Sequence, residues 1–97
     1  MKREDFVAGV GYMGNTAMVD GKTKKRHGKR SADELLEKGL YRAAFSAALY
    51  DDDTEAMERI LAAVRSAEGA DYRSADDLKR LFGVDGVPES VGRVKVL

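Results

Sequence analysis

The chain has 97 residues, no cysteine, and 17 basic against 17 acidic side chains. The missing thiols exclude disulfide frameworks, cysteine nucleophiles and cysteine-based zinc sites, and nothing asks for an oxidising compartment. The length suits one domain, residues 1–97. Such a domain buries only about 60–65% of its unfolded surface, so pairing with a second copy is a ready way to add core.

Net charge is zero, but the charges are unevenly placed. Residues 1–30 carry eight basic and three acidic side chains, or +5, and residues 31–97 carry nine and fourteen, or −5. A split of this kind marks either a binding arm or a basic segment folded against an acidic one. The longest uncharged stretch, residues 6–19, contains Gly9, Gly11, Gly14 and Asn15. It is too short and too polar to span a membrane. Glu4 and Asp5 follow Lys2 and Arg3 at once, which spoils a signal peptide. The expected location is cytoplasmic.

In chain order, Phe6, Val7, Ala8, Val10 and Tyr12 are rich in strand formers, and the glycines among them oppose a helix. Residues 16–20 read as a second strand. Gly14 and Asn15 form the turn of a hairpin, with a helical or irregular start as the alternative. Asp20 and Gly21 mark another turn. Residues 22–30 then carry Lys22, Lys24, Lys25, Arg26, Lys29 and Arg30 with only Thr23, His27 and Gly28 between them. No apolar side chain anchors this run, so it reads as a solvated basic loop.

The strongest pattern covers residues 31–64. Ser31 with Glu34 is a capping box, and Asp33 and Glu34 complement the helix dipole. Leu36, Leu40, Ala43, Ala44, Ala47 and Tyr50 recur at spacings of three and four, which puts them on one face. Gly39 favours a break or bend in that helix. The alanines permit close approach of a neighbouring helix. Asp51 and Asp52 make a turn, and Asp53 is the N-cap of the next helix, whose stripe is Met57, Ile60, Leu61 and Val64. Glu34 with Lys38 and Glu55 with Arg59 have the spacing of helix ion pairs. Gly69 suits the helix end.

Residues 70–73 read as a short connection. Ser74 and Asp77 then cap a third helix with an apolar face of Leu78, Leu81 and Phe82, closed by Gly83. Asp85 and Gly86 turn the chain, and Pro88 prevents a helix from resuming. Arg93, Val94, Lys95 and Val96 alternate as a short strand, with Val94 and Val96 expected to face inward. The N-terminal hairpin supplies its partner. The expected fold is α+β and mostly helical, with three or four helices on a two- or three-stranded sheet made by the two chain ends. The alternative is all-α.

The patterns that suggest chemistry fail in context. Gly9, Gly11 and Gly14 match GxGxxG, but no helix follows and the chain is too short for a dinucleotide fold. Those glycines are better explained by a turn or a bulge in the hairpin. Gly21-Lys22-Thr23 resembles the end of a phosphate loop, but Thr16 stands where the first glycine belongs. Counting from Asp51, a calcium loop would need glycine and glutamate where Ala56 and Ala62 stand. His27 has no ligand or catalytic partner in sequence. Ser31 serves as a cap and Ser46 as a small residue within a helix. No catalytic residue, cofactor site or metal site is assigned.

One functional feature remains: the six cations of residues 22–30, which suit successive phosphates. Tyr12 and Tyr41 are candidate stacking partners for bases. A helix-turn-helix around Gly39 is weakened because no later helix is strongly basic on its polar face. The leading expectation is a small non-enzymatic interaction or structural module whose partner is a protein or a second copy. The alternative is weakly sequence-specific nucleic-acid binding through the basic loop, and a small enzyme ranks last. The direction of the loop separates the first two. Standing free beside Lys2, Arg3 and Arg42 it makes a positive face, whereas folded onto the acidic helices it only neutralises charge.

Overall fold

The computed structural model describes residues 1–69, 71–88 and 91–97. Its elements are α1 (Arg3–Val7), β1 (Gly9–Met13), β2 (Thr16–Val19), α2 (Gly21–His27), α3 (Ala32–Glu37), α4 (Tyr41–Tyr50), α5 (Thr54–Glu68), α6 (Ala75–Phe82) and β3 (Arg93–Val96). The architecture is α+β and mostly helical. The sheet order is β1-β2-β3, so strands from the two ends of the chain meet with β2 in the middle. β1 pairs with β2 antiparallel, and β2 with β3 parallel.

The hairpin forms at Gly14-Asn15, between the paired Met13 and Thr16. Gly14 takes φ 62°, which a type II′ turn requires of its first central residue. The register shifts between Gly9 and Gly11, so two of the three spaced glycines flank a bulge. The chain start differs from the strand expected there. Residues 3–7 form the short helix α1, with Glu4 and Asp5 in its first turn, and the strand begins only at Gly9. Phe6, Val7 and Ala8 are buried, so tertiary contact overrides their strand preference.

The helix pair is built as its caps dictate. The Ser31 hydroxyl accepts from Glu34 N at 3.1 Å, and the Glu34 carboxylate accepts from Ser31 N at 3.3 Å. Gly39, at φ 73°, separates α3 from α4. Asp53 accepts from Ala56 N at 3.1 Å and starts α5. At α6 the Asp77 carboxylate takes the amides of Arg73 at 2.7 Å and Ser74 at 3.2 Å. Ala70, the first residue of the expected connection, lies outside the described residues.

The core is centred on α4, which packs against α1, α3 and α5. Residues 43–48 of α4 are all buried, so the helix is apolar on nearly every side rather than along one stripe. Phe45, outside the expected stripe, is fully buried and meets Phe82 with ring centroids 5.6 Å apart. The break at Gly39 also changes the phase of α3. Leu35 is fully buried, while Leu36 only borders the core. In α5 the expected stripe is realised, with Ile60 and Val64 innermost. In α6 Leu78 is buried and Phe82 packs on the core, but Leu81 is exposed.

Val94 and Val96 do not reach the core; they are 40% and 53% exposed. They stand opposite Ala17 and Val19, both fully buried, and so share the core-side face of the sheet. β3 is an edge strand whose main packing partner is β2, and the start of α2 meets its end, where Gly21 N donates to Leu97 O at 3.3 Å. No described helix is long and apolar enough to cross a membrane.

Candidate functional site

Most of the basic run is a helix and not a loop: α2 ends at His27, and residues 28–30 form the turn that follows. Asp20 caps the helix: one carboxylate oxygen accepts from Lys22 N at 3.3 Å and the other from the Thr23 hydroxyl at 2.7 Å. The hydroxyl bond, with smaller help from the Lys22 amide and ammonium, holds the Asp20 carboxyl below its ordinary pKa. Lysine and arginine are good helix formers. The cations of the last turn, Lys24, Lys25 and Arg26, face the negative end of the helix dipole. Composition alone missed this cap and this polarity.

No residue within α2 is buried; Gly21 N at its start donates to Leu97 O at 3.3 Å, and two further features tie the helix to α1. Lys24 Nζ lies 2.7 Å from Asp5 Oδ1 on α1. That oxygen is fully buried and has no well-aligned hydrogen-bond donor, which leaves the ammonium as its counter-charge. The contact raises the Lys24 pKa, so Lys24 stays cationic. Gly28, just past α2, permits the second contact. A Cβ there would lie 2.6 Å from Lys24 O and 2.9 Å from the Glu4 Cβ, so only glycine lets α1 come this close.

The six expected cations divide into two groups. Lys24 is committed to Asp5. Arg30 pairs with Glu34 at 3.6 Å and donates from Nε to His27 Nδ1 at 3.1 Å. Glu34 therefore binds backwards to Arg30 instead of forward to Lys38. Similarly, Arg59 forks onto Asp33 with bonds of 2.8 and 3.0 Å rather than pairing with Glu55. Two parallel bonds across α3 and α5 outcompete a single contact within one helix.

Lys22, Lys25, Arg26 and Lys29 are exposed and form no ion pair among the described residues. Their spacing of three, four and seven puts them on one side of the helical path. The path continues past α2, because Gly28 keeps a right-handed helical conformation. The face spans about 10 Å at 1.5 Å rise per residue. A shallow groove of ≈ 340 Å³ beside it is lined by Lys25, Arg26, Lys29 and Arg30, with Gly21 and Glu4.

Of the three cations expected to extend this face, Lys2 is exposed and lines a different groove, with Tyr50 and Val94, and the other two are used elsewhere. Arg3 forks onto Asp51 with two bonds of 3.0 Å and donates to Arg30 O at 2.9 Å. Arg42 donates to Gly9 O at 2.6 Å and to Phe82 O at 3.2 Å, tying α4 to β1 and to the end of α6. Tyr41 lines a groove with Thr23 of α2, but Tyr12 lines a different one with Gly83 and Pro88. The two tyrosines do not make a common stacking platform. Asp51 serves Arg3, Asp53 serves as a cap, and Asp52 takes φ 53° in the turn. Among the described residues, no group of three histidine, aspartate or glutamate side chains is arranged to hold a metal ion.

Comparison with protein-family models, curated proteins and solved structures finds no match.

Proposed function

We propose that the protein is a non-enzymatic interaction module that binds the phosphate backbone of nucleic acid through Lys22, Lys25, Arg26 and Lys29. The observation that supports this reading is the division within the basic run. Two cations are spent on internal carboxylates, and the other four are exposed together on one ordered face. Charges that served only to neutralise the acidic helices would lie against them. A row of ammonium and guanidinium groups positions a phosphate backbone without reading bases, so weak sequence preference is expected. The proposed setting is the cytoplasm, where RNA is met.

The test is an anisotropy titration with short labelled single-stranded RNA and duplex DNA over a range of salt. Four phosphate contacts predict that log affinity falls with log salt at a slope of about −3 for single strands and −3.6 for duplex DNA. Replacing Lys22, Lys25, Arg26 and Lys29 together by alanine should abolish binding and leave the circular dichroism spectrum unchanged. Absence of binding at about 50 mM salt would sink the proposal. So would binding that the fourfold variant retains.

A further inference from the structure

Among the described residues, half of the β3 backbone finds no partner. Arg93 N donates to Asn15 O at 3.2 Å and Leu97 N to Val19 O at 2.8 Å. In a parallel ladder alternate residues turn both amide and carbonyl to the same neighbour. Arg93, Lys95 and Leu97 therefore face β2, and the N–H and C=O groups of Val94 and Val96 point away from the sheet. An open edge of this kind is a template for another strand.

The side chains state what that strand should carry. Val94 and Val96 lie on the core-side face, exposed where the helical layer ends. Arg93 and Lys95 are exposed on the opposite face and have no ion pair among the described residues. Next to the strand runs a groove of ≈ 470 Å³ lined by Val94, Tyr50, Met1, Lys2 and Arg93, with Asp5, whose charge is met by Lys24, in its wall. The groove gives apolar side chains of an added strand a place to sit, under a basic rim. A second copy fits this edge poorly in the two antiparallel registers that overlap most of β3. Antiparallel pairing of β3 with itself in the register that matches Val94 to Val96 sets Lys95 opposite Lys95, and pairing about Val94 sets Arg93 opposite Lys95. Like charges directly opposite one another destabilise a strand pair.

We infer that the free edge of β3 is a docking site for an extended segment of a protein partner in which acidic and apolar residues alternate, added as a fourth strand. The carboxylates lie opposite Arg93 and Lys95, and the apolar side chains continue the ledge of Val94 and Val96 toward Tyr50. The inference does not depend on the phosphate-binding face of α2.

The probe is a fluorescein-labelled peptide of alternating glutamate and valine, with alternating lysine and valine as control, read by anisotropy. The glutamate peptide should bind saturably and about tenfold more tightly than the lysine peptide. Arg93→Glu with Lys95→Glu should invert that preference. Val94→Pro removes an outward amide that β2 does not use, which an edge strand tolerates, and should abolish binding of both peptides. Lys25→Ala with Arg26→Ala should leave the affinity for both peptides unchanged, which separates this edge from simple attraction to α2. If Val94→Pro unfolds the protein, the charge-reversed variant decides alone. Absence of saturable binding to wild type overturns the inference, as does a preference that survives charge reversal. A concentration-dependent dimer that Val94→Pro dissolves also overturns it, by assigning the edge to a second copy.

Discussion

α4 and α2 show two ways of holding a helix in place. α4 is buried on nearly every side, has no side-chain N-cap at Leu40, and carries Phe45 at the centre of the core. α2 buries none of its residues and has a side-chain cap, one ion pair to a buried carboxylate and one close backbone approach at Gly28. Burial makes α4 stable but leaves only its two ends half-exposed. Polar tethering makes α2 cheaper to detach, and it leaves four cations facing solvent. The helix best suited to meet a partner is the one the core uses least.

The largest effect should come from the core. Phe45→Ala removes a fully buried ring packed on Phe82 and should cost about 3–5 kcal/mol, read as a lower urea midpoint. For a domain of marginal stability that is close to global unfolding. Gly28→Ala should cost less, on the order of 1–3 kcal/mol, by forcing α1 and α2 apart. Amide exchange would show the difference in kind: α2 loses protection, while α4 and α5 keep theirs. Loss of protection across the whole chain would mean that α2 is not separately tethered.

Acid should sharpen the same contrast. The Asp20 carboxyl is held below its ordinary pKa chiefly by the Thr23 hydroxyl, Glu34 chiefly by the Ser31 amide, and Asp77 chiefly by the Arg73 amide. A carboxylate with a depressed folded pKa contributes stability above its unfolded value and loses it as pH falls through the folded one. From about pH 5 downward the starts of α2, α3 and α6 should fray, while the start of α4 stays as it was. Amide chemical shifts followed through the titration would check this. The smallest effect on stability belongs to the fourfold alanine variant of the α2 face. It should stay within about 0.5 kcal/mol of wild type, because those side chains form no ion pair among the described residues.

Much of the fold was legible locally. The Ser31–Glu34 box, the Asp53 cap, the break at Gly39, the Gly14-Asn15 turn and the strand at residues 93–96 each depend on a few neighbouring residues, and each appears where the sequence puts it. The cations of the candidate site were legible as a run, but not as a helix. That required weighing the Asp20 cap and the charge at the helix end above the lack of apolar anchors.

The sequence by itself determined the starts of α3, α5 and α6, the break before α4, the hairpin turn and a strand near each end of the chain, because caps, turns and periodicity are properties of adjacent residues. Only the tertiary structure decided which sides are buried and which charges are free. Phe45 is central because α4 is surrounded. Lys24 differs from Lys25 because Asp5 of α1 lies on one side of α2 and solvent on the other. Val94 stays exposed because β3 lies at the sheet edge, beyond the helices. Burial and charge pairing depend on what lies across space, and these neighbours come from residues far apart in the chain.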